Sequence, residues 1–245
     1  MTDGVGTAPP PASADSSMAP IPYRVRSRVL ESPDSATLCL EPLGEVLRTP
    51  QPGEFMMLYA FGVGEAAISI SGDPTVTDGS ITHTIRAVGA VSRALHDAQP
   101  GAIVGVRGPF GTTWGLQEAA GRDLVMVAGG MGLCPLRPAV LGALAQHSRY
   151  GKVTLIVGAR SRADFVFAAQ LEKWADDPQI QLHVTVDVPV RGWRGEVGLV
   201  TEPLRRLALD PDRTTAFLCG PEPMLRFGAE GLIAKGIAAR DIRVS

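Results

Sequence analysis

The residues whose types and spacing best suit binding chemistry lie in one stretch, DLVMVAGGMGLCPLRP at residues 123–138. Its start, residues 124–127, is a continuous apolar run of the kind that forms a parallel strand covered on both faces. A glycine-rich turn follows, and then a helix that is predicted to begin at Pro135. Glycines let the backbone approach a ligand closely, and a helix N-terminus offers free N–H groups to a phosphate. The stretch therefore predicts a phosphate-binding turn, with a tight strand–helix turn that binds nothing as the alternative.

The turn departs from the dinucleotide-binding pattern G-x-G-x-x-G, because Pro135 stands where the third glycine would be. Taken alone, the turn is a weak indication of a nucleotide site. The interpretation depends on the elements around it.

The amino-acid composition excludes several kinds of function. A net charge of −2 gives no general attraction to nucleic acid or to an anionic membrane. No apolar run approaches the roughly 18 residues of a membrane-spanning helix, and no secretory signal is visible. The three cysteines (Cys39, Cys134 and Cys219) and four histidines match no metal-ligand spacing, so we predict no metal ligands and a cytoplasmic location.

The chain divides into three regions. Residues 1–20 are rich in Pro, Ala, Ser and Gly, which predicts a disordered tail. Residues 21–117 contain short apolar segments separated by Gly, Pro and Asp, a pattern typical of a small antiparallel β-barrel. Its predicted strands span residues 23–31, 36–42, 54–61, 66–71, 81–88 and 102–107, with a short helix over 91–98.

Residues 118–245 change to strand–helix alternation, which predicts an α/β domain with a five-stranded parallel sheet. Ligands bind such sheets beyond the carboxyl ends of the strands, where the glycine turn and Cys219-Gly220-Pro221 both fall. The predicted strands are 123–128, 152–157, 180–186, 214–219 and 241–244, and the predicted helices are 135–147, 163–175, 201–208 and 222–235.

Six motifs in order resemble the ferredoxin–NADP reductase superfamily over about residues 20 to 245. They are AAISIS at 66–71, IRAVGAVSRAL at 85–95, VRGPFG at 106–111, GGMGLCPLRP at 129–138, GARSRADFVF at 158–167 and CGPEPM at 219–224. The branch they most resemble holds the gamma (diaphorase) subunits of nickel–iron hydrogenases, the sulfite reductase B subunit and the electron-transfer subunit of dihydroorotate dehydrogenase. The resemblance implies an FAD-binding barrel at 21–117 and an NAD(P)-binding domain at 118–245.

By this resemblance AAISIS matches the flavin strand R-x-[YF]-S of the family. Ile68 then lies along the isoalloxazine and Ser69 hydrogen-bonds its ring, while Ala66 replaces an arginine that reaches the flavin pyrophosphate in many relatives. Arg86 could supply the missing charge, with a solvated strand charge as the alternative. The implied flavin contacts are Ala66, Ala67, Ile68, Ser69, Thr84, Ile85, Arg86, Val91 and Ser92.

CGPEPM matches C-G-P-x-x-M, whose cysteine faces the contact between nicotinamide and flavin. The resemblance makes Cys219 the candidate catalytic residue, because a small thiol lets two rings stack closely; a buried structural cysteine is the alternative. Arg160 and Arg162 favour NADP(H) over NAD(H), unless they are solvated surface arginines. The implied nucleotide contacts are Gly129, Gly130, Gly132, Leu133, Arg160, Arg162, Cys219, Gly220, Pro221 and Met224.

The resemblance implies a diaphorase subunit that moves electrons between NADP(H) or NAD(H), FAD and an iron–sulfur partner. Its expected partners are an iron–sulfur electron-transfer subunit and the core of a hydrogenase or another reductase. Relatives continue past the position of Ser245 into a cysteine-rich segment that ligates a [2Fe–2S] cluster, which the three cysteines here cannot form. We therefore expect the sequence to be truncated; direct transfer from the flavin to a partner is the alternative.

Three other functions remain open at this stage. The same subunit could serve dihydroorotate dehydrogenase or sulfite reductase. It could be a stand-alone reductase of ferredoxin or flavodoxin. It could also be a flavin-free scaffold or sensor, which only Ala66 at the arginine position favours.

Overall fold

The computed structural model of the chain describes residues 19–193 and 195–245. The tail predicted for residues 1–20 lies, up to residue 18, outside the described residues. Two sheets organise the described part of the chain, the first antiparallel and the second parallel. The predicted fold class, a β-barrel followed by an α/β domain, is confirmed.

The first sheet has six strands in the order β4-β3-β6-β1-β2-β5. A bridge between Ile70 and His83 joins its two edges, so that the sheet closes into a barrel. A short helix, α1 (Ala90–Asp97), lies between the last two strands. The strands are β1 (Ile21–Ser32), β2 (Ser35–Pro42), β3 (Phe55–Ala60), β4 (Gly64–Ser69), β5 (Ile81–Arg86) and β6 (Ile103–Phe110).

The barrel interior is filled by alternate residues of its strands, as the period of two in the sequence predicts. Leu38 and Leu40 on β2 and Met56 and Leu58 on β3 are fully buried, whereas the residues between them are partly exposed. Tyr23 is also fully buried, and its hydroxyl accepts a hydrogen bond from the N–H of Leu47 (3.2 Å). The buried phenol therefore keeps a partner for its polar end.

The second sheet is parallel throughout, in the order β10-β9-β8-β7-β11-β12. Two of its interior strands, β7 and β11, are almost completely buried, which explains their largely apolar sequences. The elements are β7 (Asp123–Gly129), α2 (Leu133–Ala145), β8 (Val153–Ala159), α3 (Ala168–Ala175), β9 (Gln181–Val186), β10 (Glu196–Val197), α4 (Thr201–Arg206), β11 (Thr214–Cys219), α5 (Glu222–Ala234) and β12 (Ile242–Val244).

Most element bounds differ from the prediction by a few residues, and three differences in the parallel-sheet domain have a physical reason. The parallel sheet has a sixth strand, β10, whose two residues are too few to give a periodic signal. Helix α2 begins at Leu133, two residues before Pro135. Helix α3 begins at Ala168 and not at residue 163, because Phe167 adopts a left-handed conformation (φ 58°) that interrupts helical geometry.

Trp114, in the segment between β6 and β7, contacts both domains, and its N–H donates to the carbonyl of Pro52 on the barrel side (2.8 Å). Its indole Nε1–H donates to the carbonyl of Pro135 in α2 (2.8 Å), and its ring packs against Phe217 of β11. Arg243 of β12 donates to the Trp114 carbonyl (2.5 Å). The first turn of α2 is thereby fixed relative to the end of the barrel. In the described part of the chain no helix is long and apolar enough to cross a membrane.

Candidate functional site

A cleft of about 770 Å³ lies where the barrel meets the carboxyl edge of the parallel sheet. This is within the size range of cofactor-binding pockets. The parallel-sheet wall contains the ends of β7, β8, β9 and β11 together with the segment that leads into α4. The barrel wall is formed by Ser32, Asp34, Ser35, Ser69 and Arg86.

The glycine turn forms the centre of the parallel-sheet wall, where residues 129–132 leave β7 and enter α2. Gly130 has a left-handed backbone (φ 54°), and a Cβ there would meet open space. A Cβ on Gly132 would instead overlap the carbonyl oxygen of Cys219 at the end of β11. The absence of a side chain at residue 132 therefore lets two strand ends approach each other, in addition to leaving room for a ligand.

The end of β11 packs tightly against the same turn. A Cβ on Gly129 would lie 2.6 Å from the sulfur of Met224 and 3.0 Å from Cδ of Pro221. Gly220 has a positive φ of 157°, and a Cβ there would lie 2.7 Å from Cε of Met224 and 3.1 Å from the backbone nitrogen of Gly129. The two motifs that the sequence analysis placed at the sheet edge are thus in direct contact.

Cys219 lines the cleft but is only 8% exposed. Burial raises the pKa of its thiol to about 11, and a hydrogen bond with the Ser245 side chain partly offsets this effect. The thiol is therefore protonated at neutral pH. Its size and position suit a small spacer against which rings stack, whereas a nucleophile or general base would require the thiolate.

Slow alkylation of Cys219 is a direct test of this protonation state. With a pKa of about 11, roughly 0.1% of the thiol is ionised at pH 8, so we expect iodoacetamide to react at least about 100-fold more slowly than with an unperturbed cysteine. The rate should rise about tenfold per pH unit up to pH 11. Mass spectrometry of the peptide containing Cys219 measures it, with the urea-unfolded chain as control. Alkylation at the unfolded rate would contradict the assignment.

On the barrel side, Arg86 and Asp34 form an ion pair (Nε to Oδ2, 2.6 Å). The Arg86 hydrogen bond, with those of Ser32 and Ser35, lowers the pKa of Asp34 to about 2. Arg86 lines the cleft, but Asp34 already balances its charge. Its attraction for a pyrophosphate in place of Ala66 is therefore weaker than the sequence alone suggested.

The structure brings together ten of the predicted site residues as lining of one cleft. They are Ser69, Arg86, Gly129, Gly130, Gly132, Arg160, Cys219, Gly220, Pro221 and Met224. The other nine are not among the lining residues, and their roles stay predictions: Ala66, Ala67, Ile68, Thr84, Ile85, Val91, Ser92, Leu133 and Arg162.

Several of these nine side chains have other contacts. Ile85 and Leu133 are buried in the two cores, which leaves only their backbone for a ligand. Ile68 packs against the barrel core. The Ser92 hydroxyl accepts hydrogen bonds from the N–H groups of Val88 and Gly89 and so caps α1. These side chains therefore contact their own cores or helix ends and not the cleft.

Among the lining residues that the sequence analysis did not predict, two groups bear on ligand binding. Asp187 follows β9 at its carboxyl end, so the rule that identified Arg160 could also have found it. The N–H groups of Asp187 and Val188 donate to the carbonyls of Ala159 and Arg160 (3.1 and 2.9 Å), which places Asp187 beside Arg160. Ser32, Asp34 and Ser35 lie in the β1–β2 hairpin, where the sequence indicated only a turn.

Comparison with known proteins places the chain in a family. Residues 126–230 match the family model described as "Oxidoreductase NAD-binding domain". Sulfhydrogenase 1 subunit gamma of Pyrococcus furiosus is 33% identical over 199 residues, which are 80% of this chain and 68% of that protein. The chain belongs to the ferredoxin–NADP reductase superfamily. Within it, the chain is an FAD-dependent NAD(P)H oxidoreductase of the branch that contains hydrogenase gamma subunits.

One further relative agrees with that placement, and one solved structure shares the fold. A probable dihydroorotate dehydrogenase B (NAD(+)) electron transfer subunit of Methanocella arvoryzae is 31% identical over 209 residues, 85% of this chain and 71% of that protein. The FAD/NAD-binding domain of nitric oxide dioxygenase from Vibrio cholerae superposes with a TM-score of 0.79 at 20% identity, over 93% of this chain and 98% of that domain. The second comparison confirms the fold alone.

The residues of the cleft fit the two groups that this superfamily binds. The glycine turn opens a side-chain-free surface at the N-terminus of α2, which suits a nucleotide phosphate. Ser69 and the Arg86–Asp34 pair give the barrel wall hydrogen-bonding groups for a flavin. In the described ranges, 19–193 and 195–245, no group of three or more His, Cys, Asp or Glu side chains could hold a metal ion.

Proposed function

We propose that the chain is the flavin-bearing electron-transfer subunit of a cytoplasmic complex, as the gamma subunit of a nickel–iron hydrogenase. One observation carries the proposal: Ser69 on the predicted flavin strand and Cys219 on the predicted nicotinamide motif line the same cleft. A hydride donor and a hydride acceptor bound to these two walls would meet between them. The similarity to the sulfhydrogenase gamma subunit supports the choice of complex.

In this proposal the residues bind and orient, and none acts as an acid, base or nucleophile. When bound, FAD exchanges hydride with a nicotinamide nucleotide and single electrons with an iron–sulfur carrier. Ser69 and Arg86 hold the flavin side, and the glycine turn with Gly220 and Pro221 holds the nucleotide side. Cys219 keeps the space between them narrow, since its neutral thiol excludes water without blocking ring stacking.

The visible absorption spectrum of the purified chain tests the proposal. Flavin bands that bleach on anaerobic addition of NADH or NADPH would support it. A folded chain that stays colourless after added FAD would contradict it and would favour a flavin-free scaffold. Flavin bands that neither nucleotide bleaches would also contradict it.

A second complex is favoured by a specific observation. Several relatives are named as electron transfer subunits of dihydroorotate dehydrogenase B, at 27% to 32% identity. Purification of the tagged chain from its own host decides between the two complexes. Nickel and hydrogen-dependent activity in the purified complex would support the hydrogenase, whereas dihydroorotate oxidation would support the alternative.

The charges of the cleft favour NAD(H) over NADP(H), the reverse of the preference suggested by the sequence. Arg160 lines the cleft, but Arg162 does not, and two carboxylates, Asp164 and Asp187, lie among the lining residues. A 2′-phosphate there would meet one guanidinium and two like charges, whereas a ribose diol can donate to a carboxylate. We therefore propose NAD(H) as the preferred nucleotide.

Substitution of Asp187 tests this preference. We expect Asp187→Asn to raise the ratio of kcat/KM for NADPH to that for NADH by about tenfold, roughly the value of one charged contact. Arg160→Gln should move the ratio in the opposite direction. Arg162→Gln is the matched control and should leave it within about twofold. A ratio unchanged in the Asp187 variant, or already in favour of NADPH in the wild type, would contradict the preference.

A further inference from the structure

A chain of side-chain hydroxyls runs through the barrel wall behind the cleft. Thr37 donates to Oε1 of Glu31 (2.7 Å), and the Thr37 and Thr84 hydroxyl oxygens are 2.9 Å apart. The Thr84 hydroxyl lies 2.8 Å from that of Ser71. Each hydroxyl has one hydrogen, and the carboxylate only accepts. Ser71 therefore donates to Thr84, Thr84 to Thr37, and Thr37 to Glu31. The negative charge of Glu31 strengthens every bond of such a chain.

Residues of the parallel-sheet domain close this chain into a ring. The Arg137 guanidinium, on α2, donates to the carbonyl of Ser71 and to Oε1 of Gln170. It also lies over the ring of Phe167, 4.6 Å from the centroid. The backbone N–H of Phe167 donates to Oε2 of Glu31 (2.8 Å). The ring thus leaves the barrel at Ser71 and returns to it at Glu31.

Phe167 is held in this ring in an unfavourable conformation. Its φ of 58° is the left-handed region, which bulky residues rarely adopt, and no other described non-glycine residue has a positive φ. Such strain persists only where surrounding contacts fix it, and it concentrates at functional sites. Here the contacts are the cation over its ring and the carboxylate on its N–H.

Three members of the ring lie within two residues of a cleft residue. Glu31 precedes Ser32, Ser71 lies two residues after Ser69, and Arg137 lies two residues after Pro135; Ser32, Ser69 and Pro135 all line the cleft. The ring therefore connects both walls of the cleft directly behind their lining. Its charged ends, Glu31 and Arg137, attract each other across the domain boundary.

We propose that Arg137 and Glu31 are positioning residues for hydride transfer, which fix the separation between the flavin wall and the nucleotide wall of the cleft. This inference rests on the proposed function. Neither side chain lines the cleft, so both act through the backbone of the residues that do. Hydride transfer is steeply sensitive to the distance between the reacting atoms, and a displacement of about 1 Å costs on the order of 10²-fold in rate.

The first test needs no cofactor. Amide hydrogen exchange of the peptide containing Phe167 reports the bond to Glu31 directly. We expect at least about tenfold faster exchange in Glu31→Ala and in Arg137→Met, the equivalent of losing a hydrogen bond to a charged group. Glu31→Gln, which keeps an acceptor oxygen, should recover part of the protection. If the Phe167 amide of Glu31→Ala and of Arg137→Met exchanged at the wild-type rate, the proposal would be overturned.

The second test is the single-turnover rate of flavin reduction by NADH in the FAD-loaded chain. We expect Arg137→Met and Glu31→Ala to slow reduction by about 10²-fold, with FAD content and nucleotide affinity near wild type and with a weaker charge-transfer absorbance between the two rings. Arg137→Lys should recover part of the rate, because it keeps the charge but not the planar fork. The double variant should be hardly slower than either single one.

The exposed pair Arg24 and Glu41 on β1 and β2 (2.7 Å) gives the matched control. Arg24→Met with Glu41→Ala should leave amide exchange at Phe167 and the reduction rate unchanged. Flavin reduction at the wild-type rate in the Arg137 and Glu31 variants would overturn the positioning role. Slow reduction that is explained entirely by loss of bound FAD would also overturn it. A wild-type flavin that neither nucleotide reduces would overturn the proposed function itself, which is a different outcome.

Discussion

Gly132→Ala is expected to destabilise the chain by about 3 kcal/mol and to reduce flavin reduction by NADH below detection. The backbone at Gly132 is ordinary for any residue (φ −60°), so conformational preference does not require glycine there. The cost arises because the added methyl group would overlap the carbonyl of Cys219, and backbone atoms at the end of a buried interior strand cannot move aside cheaply. Separating the two strand ends would disrupt the cleft where nicotinamide and flavin are proposed to meet.

Urea unfolding and the single-turnover reduction rate measure these two effects. Gly130→Ala is the matched control two residues away, since its Cβ would meet no atom within 4 Å but its φ of 54° disfavours alanine. We expect it to cost about 1 kcal/mol and to retain reduction. Equal stability losses in the two variants would show that the contact with Cys219 is unimportant.

His83→Leu is expected to remove a large part of the loss of stability between pH 6.5 and pH 4. His83 is fully buried, its Nδ1 lies 3.0 Å from the carbonyl of Ser69, and burial lowers its pKa to about 4. The unfolded chain binds the proton near pH 6.5 and the folded chain only near pH 4. The stability that neutral His83 contributes is therefore complete above pH 6.5 and is lost as the pH falls towards 4, by about 3 kcal/mol.

Free energies of unfolding at pH 7.5, 6 and 4.5 test this expectation. The variant should show a much flatter dependence on pH than the wild type, and at pH 7.5 it should lose little. Leucine loses the hydrogen bond of Nδ1 to Ser69. It also removes the buried Nε2, which has no hydrogen-bond partner among the described residues, and this gain offsets the loss. His147→Gln, in the other domain, should keep the wild-type dependence. An unchanged acid transition in His83→Leu would show that other groups cause it.

Elements with long, regular sequence patterns were predictable, and their boundaries were less so. The apolar run of β7 and the alternation in β2 and β3 fix both the type of strand and its buried face. Helix α3 was predicted five residues too early, because no local pattern reveals that Phe167 adopts a left-handed conformation. The N–H of Phe167 donates to Glu31, which lies 136 residues earlier in the chain.

The candidate site was predictable where the fold places strand ends together. The glycine turn and Cys219-Gly220-Pro221 meet because β7 and β11 are neighbours in a parallel sheet, and the alternation of elements predicts such a sheet. The hairpin residues Asp34 and Ser35 were not predictable, because the sequence does not reveal that this turn of the barrel faces the parallel sheet. Their role depends on the packing of two domains, for which no short motif is a signal.

The ring through Glu31, Ser71, Arg137 and Phe167 has a consequence for recombination between family members. Of these four residues, two come from each domain, and two of the contacts between the domains involve backbone atoms, which any sequence possesses. A chimera joined between the domains would therefore keep the carbonyl of residue 71 and the N–H of residue 167. The chimera would lose the ring if the parent protein of its barrel lacked Glu31, or if the parent protein of its nucleotide domain lacked Arg137. These two positions should accordingly be exchanged as a pair in any library that shuffles flavin domains against nucleotide domains.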